Sequence, residues 1–196
     1  MSKANLAINL SKLKVFKNPK VHLEQYPTDS QIASDILWNA FMLNDIKDKV
    51  IADLGAGTGI LGIGCIELGC NSVFFLEKDE DAIQILKKNL HNYFNFEIIH
   101  TDVINFEQKV DTIIMNPPFG VKNRKADKNF VETSFKNGKV IYYIGKIKSK
   151  KFIESISEDF NKKITHFWEY NMPLKKTMFF HKKKKELIKI GCWRIV

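Results

Sequence analysis

The stretch DTIIMNPPFGVKN ends an apolar run with Asn116, Pro117, Pro118 and Phe119, four residues that together can handle a planar amine. The side-chain oxygen of Asn116 and the main-chain carbonyl of Pro117 offer two acceptors for the two N–H bonds of an exocyclic aromatic amine. Accepting both favours a pyramidal nitrogen whose lone pair is released from the ring, which positions and polarises the amine without a general base. Prolines fix φ and carry no N–H, so Pro117 and Pro118 make the turn stiff and present carbonyls to a pocket. Phe119 adds a ring face on which an extruded base can stack. Taken alone, the same four residues would be a strand terminator followed by a core phenylalanine.

A pocket for the other reactant is written further upstream. DLGAGTG supplies Asp53, Gly55, Gly57, Thr58 and Gly59 between a strand and a helix, where glycines let backbone approach a ligand and helix N–H groups favour an acceptor. A dinucleotide fingerprint wants its third glycine one position later, where this chain has Ile60, and Asp53 would face a pyrophosphate unfavourably. Asp53 suits a cationic ligand better. Glu77 in FFLEKDE falls where a carboxylate can accept ribose hydroxyl protons, and Asp102 in HTDV falls where it can meet an adenine edge. Each acid singly could be a helix cap or a solvated loop carboxylate. All three at successive strand ends describe a site for S-adenosyl-L-methionine, leaving S-adenosyl-L-homocysteine as product.

Those positions require strands that end together. VIADL, SVFFLE, FEIIH, DTIIM and KVIYYIG read as strands. Helices are expected after Asp29 or Ser30, through GILGIGCIELG, over DEDAIQILKKNLHNYF and around 147–160. A starting stripe of Leu6, Leu10, Leu13 and Phe16 reads as amphipathic. A further strand is expected near ITHFWEY, and a closing hairpin is expected to pair KTMFF with ELIKIGCWRIV across the lysine run. Strands alternating with helices imply a doubly wound α/β sheet with ligands beyond the strands' carboxyl ends. The length suits one domain over 1–196, with residues 1–30 as an N-terminal segment and 31–196 as the core.

Charge divides the chain. Residues 1–115 carry 11 lysines against 15 acids, a net of −4, and residues 116–196 carry 20 basic residues against 7 acids, a net of +13. Only Arg124 and Arg194 are arginine, so the field is one of lysine point charges suited to phosphates rather than bidentate base reading. Without an apolar run of about 20 residues or a signal-like start, a membrane protein is not expected, and a cytoplasmic location is. Cys65, Cys70 and Cys192 lack metal-ligand spacing and read as reduced thiols. No bound metal is expected.

DLGAGTG, the acid of FFLEKDE, HTDV and IIMNPPF together resemble a Rossmann-like class I methyltransferase acting on an exocyclic amine. That fold has a seven-stranded, mostly parallel sheet with helices on both faces and a C-terminal antiparallel hairpin. LEQYPTDSQIA, NPPFGVKN and NMPLKKTMFFHKKKK are similar to stretches of the methyltransferase-like-five family, archaeal and eukaryotic enzymes that form N6-methyladenosine in small-subunit ribosomal RNA. The similarity runs from about Leu6 to the C-terminus. It implies a lid over the cofactor nominating Gln25, Tyr26 and Thr28, and a cofactor contact for Asn116. It also implies an acceptor-side loop with Lys122, Asn123 and Asp127. The lysine run with Lys175, Lys176, Phe180, His181, Lys182, Lys183 and Lys184 is implied as an RNA-backbone contact. Family members work with a small zinc-binding activator protein that adds a strand to the sheet edge, expected here at FEIIH, Phe96 to His100. Two departures stand out: Glu77 replaces a frequent aspartate, and the run between Phe130 and Lys139 does not match closely. Guanine-N2 methylation of ribosomal or transfer RNA, protein glutamine methylation and a non-catalytic RNA-binding assembly factor remain as alternatives.

Overall fold

The computed structural model describes residues 1–16, 19–20, 27–118, 124–174 and 186–196. Gln25, Tyr26, Phe119, Lys122, Asn123 and the run from Lys175 to Lys185 lie outside these. The described elements are α1 (Lys3–Ser11), α2 (Ser30–Met42), β1 (Val50–Leu54), α3 (Ile60–Glu67), β2 (Ser72–Glu77), α4 (Glu80–Asn89) and β3 (Phe96–His100), then β4 (Val110–Met115), α5 (Arg124–Asn137), β5 (Gly138–Lys146), α6 (Lys150–Asp159), β6 (Ile164–Leu174) and β7 (Glu186–Ile195).

Seven strands form one sheet in the order β3-β2-β1-β4-β5-β7-β6. The pairings among β1 to β5 are parallel, and β7 runs antiparallel to both β5 and β6. The chain starts at β1, works outward to β3, then crosses back to place β4 on the other side of β1. The order therefore reverses between β1 and β4, and at such a switch point the loops on the two sides diverge and open a crevice.

Strand alternation feeds two cores. Tyr142 and Ile144 of β5 point into the layer shared with α1, α2, α3 and α4, while Ile141 and Tyr143 point into the layer shared with α5 and α6. Both tyrosines and Trp193 of β7 are at most 1% exposed, and burying each ring contributes about 1.5–3 kcal/mol. Antiparallel β7 is locked to the parallel half by one polar cluster: Asp45, in the loop before β1, accepts from Tyr142 Oη at 2.6 Å and from Arg194 Nε at 2.7 Å.

Several boundaries depart from the sequence reading. Asp29 is the N-cap of α2, its side chain accepting from the N–H groups of Gln31 and Ile32. α1 stops at Ser11, so its buried stripe holds Leu6, Ala7 and Leu10 and Phe16 is placed by other means. α4 ends at Asn89 rather than near Phe94, which is 79% exposed. Among the described residues β7 pairs with β6, from Ile164↔Ile195 to Leu174↔Glu186. The separate strand expected at ITHFWEY is thus one arm of the closing hairpin, and the expected partner KTMFF lies outside the described residues. The reason is length: β6 runs 11 residues, and Pro173 does not end it because an outer-edge strand tolerates a missing donor.

Candidate functional site

The parallel ladders set the site's frame. Leu54 is level with Leu76 on one side and Met115 on the other, and Glu77 is level with His100. The glycine turn, Glu77, Asp102 and Asn116 therefore leave the sheet along one edge, the carboxyl ends of β1 to β4.

The turn itself depends on left-handed backbone: Gly55, Gly57 and Gly59 have φ of 70°, 56° and 91°. A side chain there would be strained, and at Gly55 a Cβ would also stand 2.9 Å from the ring of Phe130. The acids expected to meet ligand also bind this backbone. Glu77 accepts from the Gly57 N–H at 2.8 Å and from the N–H groups of Lys78 and Asp79, both at 2.9 Å. A carboxylate has about four acceptor positions, so capacity remains for a hydroxyl. Asp102 caps the short 3-10 turn Val103–Asn105, accepting from Ile104 N–H at 3.3 Å, and its Oδ2 lies 3.4 Å from Lys78 Nζ.

Asp53 sits deeper than its place in the motif suggests. It is 1% exposed and accepts from the Gly62 N–H at 2.8 Å, which ties β1 to the first turn of α3. Burial, with a smaller push from the Glu77 carboxylate, raises it to about 7 against the Gly62 hydrogen bond, which pulls the other way. Its first task is to hold the glycine turn, and a cation brought beside it would favour its ionised form.

At the end of β4 the arrangement differs. Asn116 Nδ2 donates to Thr28 Oγ1 at 2.9 Å, and Thr28 is itself buried immediately before the α2 cap. The amide orientation is fixed by that bond, leaving Asn116 Oδ1 buried with no hydrogen-bond partner among the described residues. A buried carbonyl oxygen without a donor costs about 1–3 kcal/mol, and it is the atom expected to receive an amine N–H. Asp127, in the first turn of α5, lies close enough to Tyr143 to act, after burial, as the second influence raising that phenol. Tyr143 pairs with Met115 in the ladder, one residue before Asn116, so Asp127 belongs to the neighbourhood of this strand end.

Three contributors escaped the sequence reading. Phe130 reaches Gly55 from α5, Phe16 reaches Gly57 from the N-terminal segment, and Asn89 bonds the carbonyl of Thr58 from α4. Asn89 carried a signal: an amide in the stripe Ala82, Ile83, Leu86, Leu90 interrupts an apolar face. Phe16 and Phe130 carried none beyond hydrophobicity.

The fold and the edge-on site define a class I methyltransferase. The chain belongs to the methyltransferase small domain family, whose model matches residues 13–141. The zebrafish rRNA N(6)-adenosine-methyltransferase METTL5 is 34% identical, over 89% of this chain and 89% of that protein. The Drosophila melanogaster protein of the same name is 30% identical, over 91% and 89%. A Pyrococcus horikoshii protein solved as a candidate RNA methyltransferase superposes with a TM-score of 0.93 and 42% identity, covering 100% of this chain and 97% of that one.

Proposed function

We propose that this protein is an S-adenosyl-L-methionine-dependent RNA methyltransferase that forms N6-methyladenosine in small-subunit ribosomal RNA. The observation that carries the reading is Asn116 Oδ1, a buried acceptor whose own amide group is pinned to Thr28 and whose remaining need is a donor. An adenine N6 amine supplies one. The similarity to the METTL5 enzymes over nine-tenths of the chain favours adenine over guanine.

The residues present fit the cofactor. Gly55, Gly57 and Gly59 give backbone access, Glu77 retains acceptor capacity for ribose hydroxyls, Asp102 stands at the next strand end, and Thr58 and Thr28 border the turn and Asn116. Gln25 and Tyr26 complete the lid in this reading. Bound there, the cofactor supplies an electrophilic methyl group and departs as S-adenosyl-L-homocysteine. The chain's own part is positioning. Asn116 Oδ1 and the Pro117 carbonyl accept the amine's two N–H bonds, turning its lone pair away from the ring; Pro118 stiffens the turn; Phe119 stacks on the base. No side chain is required to take the proton before transfer, because the amine keeps both N–H bonds until its charge develops; the methylated, cationic amine then releases one proton to solvent.

RNA is held by Lys122 and Asn123 with Asp127 on the acceptor side, and by the run Lys175 to Lys185 on the backbone. A small zinc-binding activator adds a strand at β3, an edge strand in which Phe96, Ile98 and Ile99 are only half-buried. No helix among the described residues is long and apolar enough to cross a membrane, and cytoplasmic residence fits the reading of the buried thiols Cys65 and Cys192 as reduced.

The test is incubation with methyl-labelled cofactor and ribosomal subunits, with and without an activator, followed by digestion of the RNA to nucleosides. Label in N6-methyladenosine supports the reading. Label in N2-methylguanosine replaces the substrate, and no transfer under any condition favours a binding factor.

A further inference from the structure

Between α1 and the lid stretch the chain crosses the glycine turn, and one buried amide holds it there. Asn89, 6% exposed on the inward face of α4, makes three hydrogen bonds of 2.9 Å: Nδ2 donates to the carbonyls of Lys14 and Thr58, and Oδ1 accepts from the Lys14 N–H. Both main-chain groups of Lys14 are thereby joined to a carbonyl of the turn itself. Two residues on, the half-buried ring of Phe16 reaches to 3.5 Å from the place a Cβ on Gly57 would occupy. The Gly57 N–H is one of the donors to Glu77. At the opposite end of α4, Lys20 pairs with Asp79 and, at 2.7 Å, with Asp81. The segment carrying Phe16 is thus fastened at both ends of α4, where helix geometry does not reach it.

We propose that Phe16 is an aromatic wall of the cofactor site beside Glu77, and that Asn89 is the positioning residue that holds this wall over the turn. The inference rests on the cofactor reading above and adds two residues to it. The physical advantage is local dryness: a ring beside Glu77 keeps water from competing for the carboxylate, and a charge-assisted hydrogen bond to a ribose hydroxyl strengthens as the surroundings become less polar. The ligand class is an adenosine-bearing molecule, recognised through its ribose. Gly57 is favoured there by its φ of 56°, and a Cβ at that position would lie in ordinary contact range of the ring.

The experiment measures S-adenosyl-L-homocysteine affinity by calorimetry for wild type, Phe16→Ala, Phe16→Tyr, Asn89→Ala and the double alanine variant, alongside steady-state kinetics. Phe16→Ala is expected to weaken binding about tenfold, the loss of a half-buried ring contact, with Phe16→Tyr close to wild type. The loss appears in KM for the cofactor while kcat and KM for RNA hold. Asn89→Ala shows a loss of similar size, and the double variant is little weaker than either single one, because both remove the same wall. Additive losses, or an unchanged affinity in Phe16→Ala, overturn the proposal while leaving the cofactor assignment intact. Absence of binding by wild type overturns both. Phe16 is only half-buried, so its variants decide the matter even if Asn89→Ala does not fold.

Discussion

The two halves of the sheet's carboxyl edge are built on opposite terms. At β1 and β2 the acids are engaged before any ligand arrives: Asp53 holds Gly62, and Glu77 holds Gly57, Lys78 and Asp79. At β4 Asn116 is anchored through its nitrogen, and its oxygen meets no donor among the described residues. The first half is already hydrogen-bonded; the second, among the described residues, keeps an acceptor without a donor in a buried place. Preorganised backbone suits a ligand that must be held the same way in every turnover. An acceptor without a donor suits a group that arrives, is altered and leaves.

The largest expected effect sharpens that contrast. Asn116→Ala should lower kcat by about 10²–10³, the scale of losing one preorganised polar contact in a reacting site, while calorimetry finds cofactor affinity nearly intact. Equal loss of both would merge the two halves and remove Asn116 from its acceptor role. Glu77→Ala should do the reverse, weakening cofactor affinity by about 10–100-fold through the lost charge-assisted bonds and a loosened Gly57, with amine positioning unaffected at saturating cofactor. Thr28→Val keeps the shape and removes the hydroxyl that orients Asn116. It should lower kcat about tenfold, roughly one hydrogen bond's worth, with a smaller loss of cofactor affinity than Glu77→Ala.

The smallest effect concerns pH. Asp53 has its value raised from 3.8 to about 7, so the folded protein retains a proton that the unfolded chain releases. Its contribution to stability is present in full below about 4 and is lost as pH rises to about 7. Thermal melts of Asp53→Asn should therefore fall less across that window than those of wild type. A parallel decline in both proteins would mean that Asp53 is ionised throughout, making the first half less closed than its geometry implies.

How far these features could be read from sequence follows the range of the interactions. β1, β2, β3 and β4 were legible because each is a short apolar run bounded by glycine, asparagine or acid. Their shared edge followed from parallel pairing, so Asp53, Glu77, Asp102 and Asn116 could be nominated together. Thr28 came only from resemblance to a known family, since a threonine before a helix cap has no local mark of contact with a residue 88 positions away. Helix α5 was not anticipated, because RKADKNFVETSFKN has few apolar residues and its second half, from Phe130 onward, lies in the run that matched the family poorly. The burial of Asp53 was also illegible: its partner, Gly62, is chosen by the angle at which α3 leaves the turn. Phe16 was read as part of a helical stripe because spacing alone cannot tell that α1 stops five residues earlier.

The last pairing of the sheet has a geometric consequence for how substrate is met. β5 and β7 stop pairing at Lys146↔Ile190, while β6 and β7 continue to Leu174↔Glu186. Four more residues of β7 thus run on past the sheet as a two-stranded arm, about 13 Å at the usual rise, in the direction in which β4 delivers Asn116. The most basic stretch of the chain is spliced into the far end of that arm. Leu174 and Glu186, the two ends of the arm that this stretch joins in sequence, thus stand on the side of the sheet on which methyl transfer is proposed to occur.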